Sequence, residues 1–261
     1  MKKLLALVLA VVMMMGIASV AFAEETNSLA AVEAAGVLKV GVDAAFAPLT
    51  FKDETGAFTG YDIALATAVA EKLGVAVEFV EVDWSNLAAA LNDGTIDCVW
   101  SGMSINAERQ AAMTISAAYL ESNTTLLVHK DVAGFIEDLA GKKAAVQTGS
   151  FAEQLLGELS AGVEIVGAAD NDAAIAELIA GNVDAVMLDS VYAAYQIANT
   201  EALADYILIE DLYADLFGIG FAKGDYLLCG AVEEALYELA QDGTIAAIDA
   251  DWFGADVCLI K

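Results

Sequence analysis

The sequence predicts an α/β protein of two lobes, each a mostly parallel sheet flanked by helices, joined by two hinge crossovers. Short apolar, β-branched segments alternate along the chain with segments of helical periodicity, which is typical of parallel sheets. This alternation occurs twice, before and after a strand-like segment at 124–130. Without a predicted N-terminal signal, about 238 residues remain, which suits one large domain or two lobes of roughly 100 residues each.

The first unit is predicted to be βαβαβ. Its strands are 37–42, 75–82 and 96–102, and its helices are 60–74 and 86–94. In the first helix we expect Asp62 to cap the N-terminus and Gly74 to end the last turn. This order places the helices on the faces of a parallel sheet.

The second unit repeats the pattern. Its strands are 142–149, 163–168 and 183–189, and its helices are 150–159, 172–181 and 191–200. A strand at 214–225 is expected to return to the first unit, and two helices within 226–254 to complete it. We therefore assign 24–123 with 214–261 to lobe 1 and 124–213 to lobe 2. Crossovers near 122–126 and 211–216 would form a hinge, and a hinge between lobes allows a cleft to close.

Residues 1–23 are predicted to be a signal peptide. Lys2 and Lys3 precede an unbroken apolar run, and Ala21-Phe22-Ala23 fits a cleavage site after Ala23. An uncleaved membrane anchor is the alternative, because the apolar stretch is long enough to span a bilayer. We expect an exported protein, periplasmic or at the extracellular cell surface.

The composition is strongly acidic, with 39 Asp and Glu against 11 Lys and Arg and a formal net charge of −28. Nucleic acid and anionic membranes would repel such a chain, so neither is expected as a partner. His129 is the single histidine, which leaves little support for a metal cluster or a histidine-dependent catalytic site, and no cofactor is expected. Three cysteines exclude a disulfide-dense scaffold, although Cys229 and Cys258 could pair.

The segment SGMSINAER at 101–109 is the first candidate for a ligand site, since ligands of open α/β sheets bind beyond the carboxyl ends of strands. Arg109, the only arginine in the chain, lies in the first turn of a helix that Asn106 could cap. A guanidinium, backbone N–H groups and hydroxyls together suit a carboxylate. The neighbours that would contribute are Ser101, Gly102 and Ser104. The alternative is a surface arginine paired with an acid such as Glu108.

Four further residues follow predicted strands. Asp189 could hold an ammonium group or could cap the next helix. Phe46 and Trp84 could enclose a ligand side chain or belong to the core of the lobe. Asp43 could contact the ligand or could order its own loop.

Six segments carry a family resemblance over nearly all of the chain after residue 23. They are GVLKVGVDAAFAPLTFKDETGAFTGYDIALATAVAEKLGVAVEFV, VDWSNLAAALNDGTIDCVWSGMSINAER, LAGKKAAVQTGSFAEQLL, GNVDAVMLDS, FGIGFAKGD and LAQDGTIAAIDADWFG. In this order they resemble the bacterial extracellular solute-binding proteins of family 3, the polar amino acid-binding proteins of ABC importers. The resemblance implies the type II periplasmic-binding-protein fold, closure of the hinge on one free L-amino acid, and delivery to a membrane permease by a monomer.

The resemblance also implies roles for residues. Arg109, with Ser104, Gly102 and the turn Gly149-Ser150-Phe151, would hold the α-carboxylate, and Asp189 the α-ammonium. Phe46 and Trp84 would form aromatic walls, and Asp43 would select the side chain. Phe151 departs from the family, which usually carries threonine or serine there.

The sequence disfavours an acidic amino acid as ligand and does not distinguish a basic one from a neutral polar one. An acidic side chain would need a second cation, and the cleft segments contain no further arginine and no lysine. Lysine, arginine or ornithine would suit Asp43 and Asp83, whereas glutamine or cystine is equally consistent. We expect a binding protein rather than an enzyme. The alternatives are an exported dehydratase-like enzyme on the same scaffold and the ligand-binding module of a sensor.

Overall fold

The computed structural model describes residues 28–131, 139–159 and 162–261, apart from the side chains of residues 210 and 211. The predicted signal peptide lies outside these ranges. In chain order the helices are α1 (Ser28–Ala35), α2 (Tyr61–Leu73), α3 (Leu87–Asn92), α4 (Ala107–Ala112), α5 (Phe151–Leu159), α6 (Asn171–Ile179), α7 (Ser190–Asn199), α8 (Tyr226–Gln241) and α9 (Thr244–Phe253). The strands are β1 (Val37–Val42), β2 (Ala45–Phe46), β3 (Thr50–Lys52), β4 (Phe58–Thr59), β5 (Ala76–Glu81), β6 (Cys98–Ser104), β7 (Thr114–Ile115), β8 (Leu120–His129), β9 (Lys143–Gln147), β10 (Glu164–Ala168), β11 (Ala185–Asp189) and β12 (Tyr206–Phe221).

One mixed sheet orders its strands β10-β9-β11-β8-β12-β6-β1-β5, and β7 pairs with β12. Strands β5, β1 and β6 are parallel at one end, and β10, β9 and β11 are parallel at the other. We name the elements around the β5 end lobe 1, including the small sheet β2-β3-β4, and those around the β10 end lobe 2. The alternation of strands and helices predicted from the sequence is confirmed in both lobes.

The long strands β8 and β12 pair antiparallel between the lobes. Both begin earlier than predicted, because polar residues such as Ser122 in the first and Glu210 in the second interrupt the apolar pattern of the sequence. The two strands pair with each other at this point, Ser122 opposite Asp215, and ladder hydrogen bonds continue regardless of side-chain polarity. The residue at which each lobe ends stays a prediction.

The predicted capping role of Asp62 is wrong. Gly60 occupies the cap position of α2, and no side chain caps it. The Asp62 carboxylate instead accepts hydrogen bonds from Gly102 N and from the Tyr119 hydroxyl, each at 2.8 Å. This buried side chain therefore bonds to donors of two other segments in the interior of lobe 1 and not to the first turn of its own helix.

The two C-terminal helices share a core with α2. Helices α8 and α9 pack against α2 and against each other. Leu65 and Val69 of α2 and Leu228 and Val232 of α8 are fully buried in one cluster, and such burial stabilises by about 25 cal/mol per Å². Across the described ranges, none of the helices combines the length and the apolar character needed to cross a membrane.

The three cysteines are free thiols, all of them buried. The pairing of Cys229 with Cys258 that the sequence allowed is therefore not formed. His129 ends β8, and its ring packs edge-on against Tyr206 with 5.3 Å between the ring centroids.

Candidate functional site

Arg109 lies in lobe 1, facing the cleft. Asn106 Oδ1 accepts a hydrogen bond from Arg109 N at 2.8 Å, which confirms the predicted cap of α4. The guanidinium donates from Nη1 to the carbonyl oxygen of Ser104 at 3.0 Å and lies 5.1 Å from the centroid of the Trp84 ring. These contacts hold the cation in one place, and cation–π attraction to tryptophan is strongest where water is excluded.

Asp189 comes from lobe 2, at the end of β11. It occupies the cap position of α7, but its side chain makes no capping hydrogen bond. The alternative role as a helix cap is thus not realised. In the sheet, Asp189 lies opposite Thr124 of the hinge strand β8.

The two groups influence each other's charge. Burial, and after it the charge of Asp215, raise the pKa of Asp189 to about 8, although Arg109 opposes both. Burial lowers the pKa of Arg109, while Asp215, Asp189 and Glu108 oppose this shift. A ligand ammonium group entering beside Asp189 would favour the ionised form of the Asp189 carboxyl. The arrangement therefore suits a ligand that carries a cationic group next to an anionic one.

Aromatic rings meet across the cleft. Phe46 of lobe 1 stacks on Tyr192 of lobe 2 with 5.5 Å between ring centroids and 12° between planes. Phe46 also contacts the edge of Phe217 on β12. A Cβ at Gly102 would lie 2.4 Å from the Phe46 ring. Any larger residue at this position would therefore clash with the ring.

Asp43 is fully engaged by protein groups. Its Oδ2 accepts from Trp84 Nε1 at 2.8 Å and from Gln147 Nε2 at 2.7 Å, and its Oδ1 accepts from Ala45 N at 2.8 Å. Gln147 belongs to lobe 2, and its own oxygen accepts from Asn171 Nδ2 at 3.0 Å. Asp43 therefore orders its loop, one of the two roles considered from the sequence, and links the lobes.

Ser101 supports this loop rather than the cavity. Its hydroxyl accepts from Asp43 N at 3.0 Å and lies 2.6 Å from the Thr50 hydroxyl. The side chain is fully buried. The sequence could not distinguish it from Ser104 of the same strand, which does face the cleft cavity.

The turn before α5 is also committed locally. Gly149 N donates to Glu153 Oε2 at 2.8 Å, and Glu153 N donates to the Ser150 hydroxyl at 3.1 Å. The Phe151 ring packs edge-on against Tyr213 of β12 with 5.3 Å between centroids. Phe151 thus fills the space between its turn and the hinge strand.

A cavity of about 20 Å³ lies between Arg109 and Asp189. Eight of the eleven predicted site residues line it: Phe46, Trp84, Gly102, Ser104, Arg109, Ser150, Phe151 and Asp189. This volume holds about one water molecule, so a larger molecule enters only when the lobes or the lining side chains move. Two wider openings adjoin it, one of 350 Å³ that includes Gly149 and one of 250 Å³ that includes Asp43.

Three residues with important contacts were not predicted. Gln147 links the lobes through Asp43, Tyr192 stacks on Phe46, and Asp215 is a buried carboxylate on β12. Each could have been noticed as a polar or aromatic residue next to a predicted strand end or crossover. Their partners, however, are distant in sequence, and no local pattern identifies them.

The ion pairs that the described residues form all lie within one lobe. Examples are Lys52 with Glu81 in lobe 1 and Lys143 with Glu164 in lobe 2. The side chains involved are largely exposed to water. The contacts across the cleft are hydrogen bonds from neutral donors and aromatic packing.

Comparison with known proteins adds to this geometry. The family model of the bacterial extracellular solute-binding proteins, family 3, matches residues 38–255. The chain belongs to this family. Its fold is accordingly the two-lobed type II periplasmic-binding-protein fold that the sequence predicted.

Individual similar proteins agree with this assignment. The L-cystine-binding protein TcyJ of Escherichia coli strain K12 is 32% identical over 96% of this chain and 94% of its own length. A substrate-binding protein of an ABC uptake transporter from Streptococcus pneumoniae, solved with bound histidine, superposes with a TM-score of 0.82 at 29% identity, covering 90% of this chain and 99% of the other. The ancestral amino acid-binding protein AncCDT-1, described as a precursor of cyclohexadienyl dehydratase, gives 0.81 at 36% identity over 87% and 100%. A solute-binding role is therefore supported, and these relatives are named as binding proteins rather than enzymes.

Proposed function

We propose that this family 3 protein is the extracytoplasmic binding component of an amino acid ABC importer. It binds one free polar or basic L-amino acid between its lobes and delivers it to the membrane permease. The observation that carries the proposal is the placement of Arg109 and Asp189. They are a basic and an acidic side chain from opposite lobes, they line the same cavity, and both are partly withdrawn from water.

An α-amino acid carries the complementary pair of charges. Its carboxylate suits the planar guanidinium fork of Arg109, and its ammonium suits Asp189. Ser104 and Gly102 lie on the same side of the cavity as Arg109. Ser150 and Phe151 line the facing wall.

The lining also restricts the ligand side chain. Among the described residues that line the cavity, Arg109 is the only cationic one, so an acidic ligand side chain would have no partner. The neighbouring opening is lined by Asp43, Glu81, Asp83 and Asp170. A long polar or cationic side chain that displaces Trp84 or Gln147 would reach these carboxylates.

Closure follows from the contacts between the lobes. The Asp43–Gln147 hydrogen bond and the Phe46–Tyr192 stack exist only when the lobes are together. A ligand that bridges Arg109 and Asp189 adds a further link and shifts the population towards the closed form. The permease would recognise that form.

The test is thermal unfolding of residues 24–261, stripped of carried-over ligand by unfolding and refolding, against a panel of free L-amino acids that includes L-cystine and L-ornithine. A ligand at 100 times its dissociation constant should add about 2.7 kcal/mol of stability. A shift with one or a few polar or basic amino acids is expected. A panel without any shift would overturn the proposal. The alternative of a dehydratase-like enzyme is tested by incubating the protein with cyclohexadienyl acids, which should remain unconverted.

A further inference from the structure

The two hinge strands carry a row of buried polar side chains beneath the cleft. Residues directly opposite each other in antiparallel strands share a face of the sheet. Asp189 lies opposite Thr124, and Asp215 lies opposite Ser122. Ser122 and Thr124 are two residues apart on β8 and so share that face. The row therefore runs from Asp189 in lobe 2 across the hinge to Asp215.

The same face continues into lobe 1. Phe217, two residues from Asp215, lies opposite Ser104 of β6. Ser104 holds the Arg109 guanidinium through its carbonyl oxygen. Asp215 is thus placed next to the residue that positions Arg109.

Asp215 is an unusual residue for this position. It is only 3% exposed. Its Oδ1 accepts from Leu216 N at 2.7 Å, but its Oδ2 has no hydrogen-bond partner among the described residues. The hydroxyls of Ser122 and Thr124 are likewise buried without a partner there. A buried, incompletely satisfied carboxylate costs stability, which suggests a role beyond folding.

The charges that face Asp215 are those of the ligand site. Burial raises the pKa of Asp215, and hydrogen bonding from Ser104 and Leu216 and then the charge of Arg109 oppose this shift. Asp215 in turn raises the pKa of Asp189. Glu108 is the remaining charge that acts on Arg109.

We propose that Asp215 is a specificity-determining residue: held on the hinge strand beside Arg109 and Asp189, it makes the site require a ligand with an ammonium group next to its carboxylate. The inference rests on the proposed function. A carboxylate without an adjacent ammonium would meet the buried Asp215 carboxylate beside the guanidinium, while Asp189, whose pKa is raised to about 8, is largely protonated. Asp215 would therefore repel it. A zwitterionic amino acid offsets this repulsion with its own cation. Repulsion of the wrong ligand is a common source of specificity.

The test compares L-arginine, L-histidine, L-glutamine and L-cystine with the analogues in which hydrogen replaces each α-amino group, by isothermal titration calorimetry. In the wild-type protein, the affinity for the amino acid that it binds should exceed the affinity for the matching analogue by at least about a hundredfold. Asp215→Asn keeps the shape and removes the charge, and should lower this preference by about tenfold.

The matched control is Asp225→Asn. Asp225 is also a fully buried carboxylate with one unpartnered oxygen, but it caps α8 and is not among the charges that act on Arg109 or Asp189. This variant should retain the wild-type preference.

A second readout is the pH profile of the preference. As pH falls through the raised pKa of Asp215, the wild-type preference should decrease and converge with that of Asp215→Asn. If that variant does not fold, Asp215→Ser, which also removes the charge, takes its place, and a preference equal to that of the wild-type protein would contradict the proposal.

The outcomes separate the two proposals. If the wild-type protein binds none of the four amino acids and no member of the larger panel, the proposed function fails and this inference fails with it. If it binds one of them, and Asp215→Asn retains both the preference and the pH profile, only the inference about Asp215 is overturned.

Discussion

The side-chain amide of Gln147 donates to Asp43 Oδ2 over 2.7 Å, although 104 positions separate the two residues. Gln147 ends β9 in lobe 2, and Asp43 follows β1 in lobe 1. The bond therefore links the two lobes, and opening of the cleft would break it. Its acceptor is a buried carboxylate that also accepts from Trp84 Nε1, so we expect this contact to favour the closed form.

Replacing Gln147 by alanine should therefore favour the open form. A hydrogen bond to a charged group contributes more than a neutral one, and we expect amino acid affinity to fall by roughly fivefold or more. Small-angle scattering should show a larger radius of gyration at subsaturating ligand. Gln241→Ala, an exposed glutamine at the end of α8, is the control and should change neither quantity. Unaltered affinity in Gln147→Ala would show that this bond does not contribute to closure.

Gly149→Ala should also impede closure, by contact rather than by loss of a bond. The added Cβ would lie 2.7 Å from Ser85 N and from the Ser85 hydroxyl, across the cleft. Gly141 is the matched control, since its φ of +77° is close to the +78° of Gly149 and nothing lies within 4 Å of its added Cβ. Both variants should lose about 1 to 2 kcal/mol of stability through backbone strain. Only Gly149→Ala should lose ligand affinity, and equal affinities in the two would contradict this.

Arg109→Ala should remove amino acid binding while the fold persists. The guanidinium is expected to form two charge-assisted hydrogen bonds to the ligand carboxylate, and its loss should weaken binding by about a hundredfold or more. Arg109→Lys keeps the charge but not the planar fork, so its affinity should be intermediate. Calorimetry gives the affinities, and circular dichroism confirms folding. Near wild-type affinity in the alanine variant would remove Arg109 from the site.

Stability should decrease as pH rises from about 5 to 8.5. Burial raises the pKa of Asp189 to about 8 and that of Asp62 to about 7, from the usual value of 3.8. The folded protein then binds more protons than the unfolded chain in this range, so these two groups favour folding at low pH, and their contribution is lost as pH rises through 7 and 8.

Asp189→Asn removes one of the two groups. The variant should show a shallower decline in urea denaturation midpoint with pH, and should exceed the wild-type protein in stability at pH 8.5. Asp251→Asn, at an exposed position of α9, should follow the wild-type profile. An identical slope in Asp189→Asn would show that Asp189 is ionised at neutral pH.

Local patterns were sufficient for the elements and for part of the site. The order of strands and helices follows from periodicity, and the Asn106 cap of α4 from residue type and spacing. Arg109 could be selected because it is the sole arginine and because it follows a strand end. In each case the decisive information lies within about ten residues of sequence.

The remaining site contacts could not be predicted because they join residues that are far apart in the sequence. The Asp62 side chain has two possible sets of donors, the first turn of α2 and the pair formed by Gly102 and Tyr119, and only the packed structure shows which set it reaches. Ser101 and Ser104 are alike in sequence context, yet one supports the Asp43 loop and the other faces the cavity. Asp215 was not predicted as a site residue because the residues around it come from three different strands of the sheet.

The confinement of ion pairs to single lobes has a consequence for ionic strength. The protein has a formal net charge of −28, so added salt screens the mutual repulsion of its acidic surfaces. It weakens the attractions across the cleft much less, because the Phe46–Tyr192 stack and the Gln147–Asp43 bond do not depend on a cationic donor and the Arg109–Asp189 attraction is between buried groups. Salt at the concentrations outside a cell should therefore assist closure, which lets the lobes keep a soluble, strongly acidic surface without forcing the cleft open.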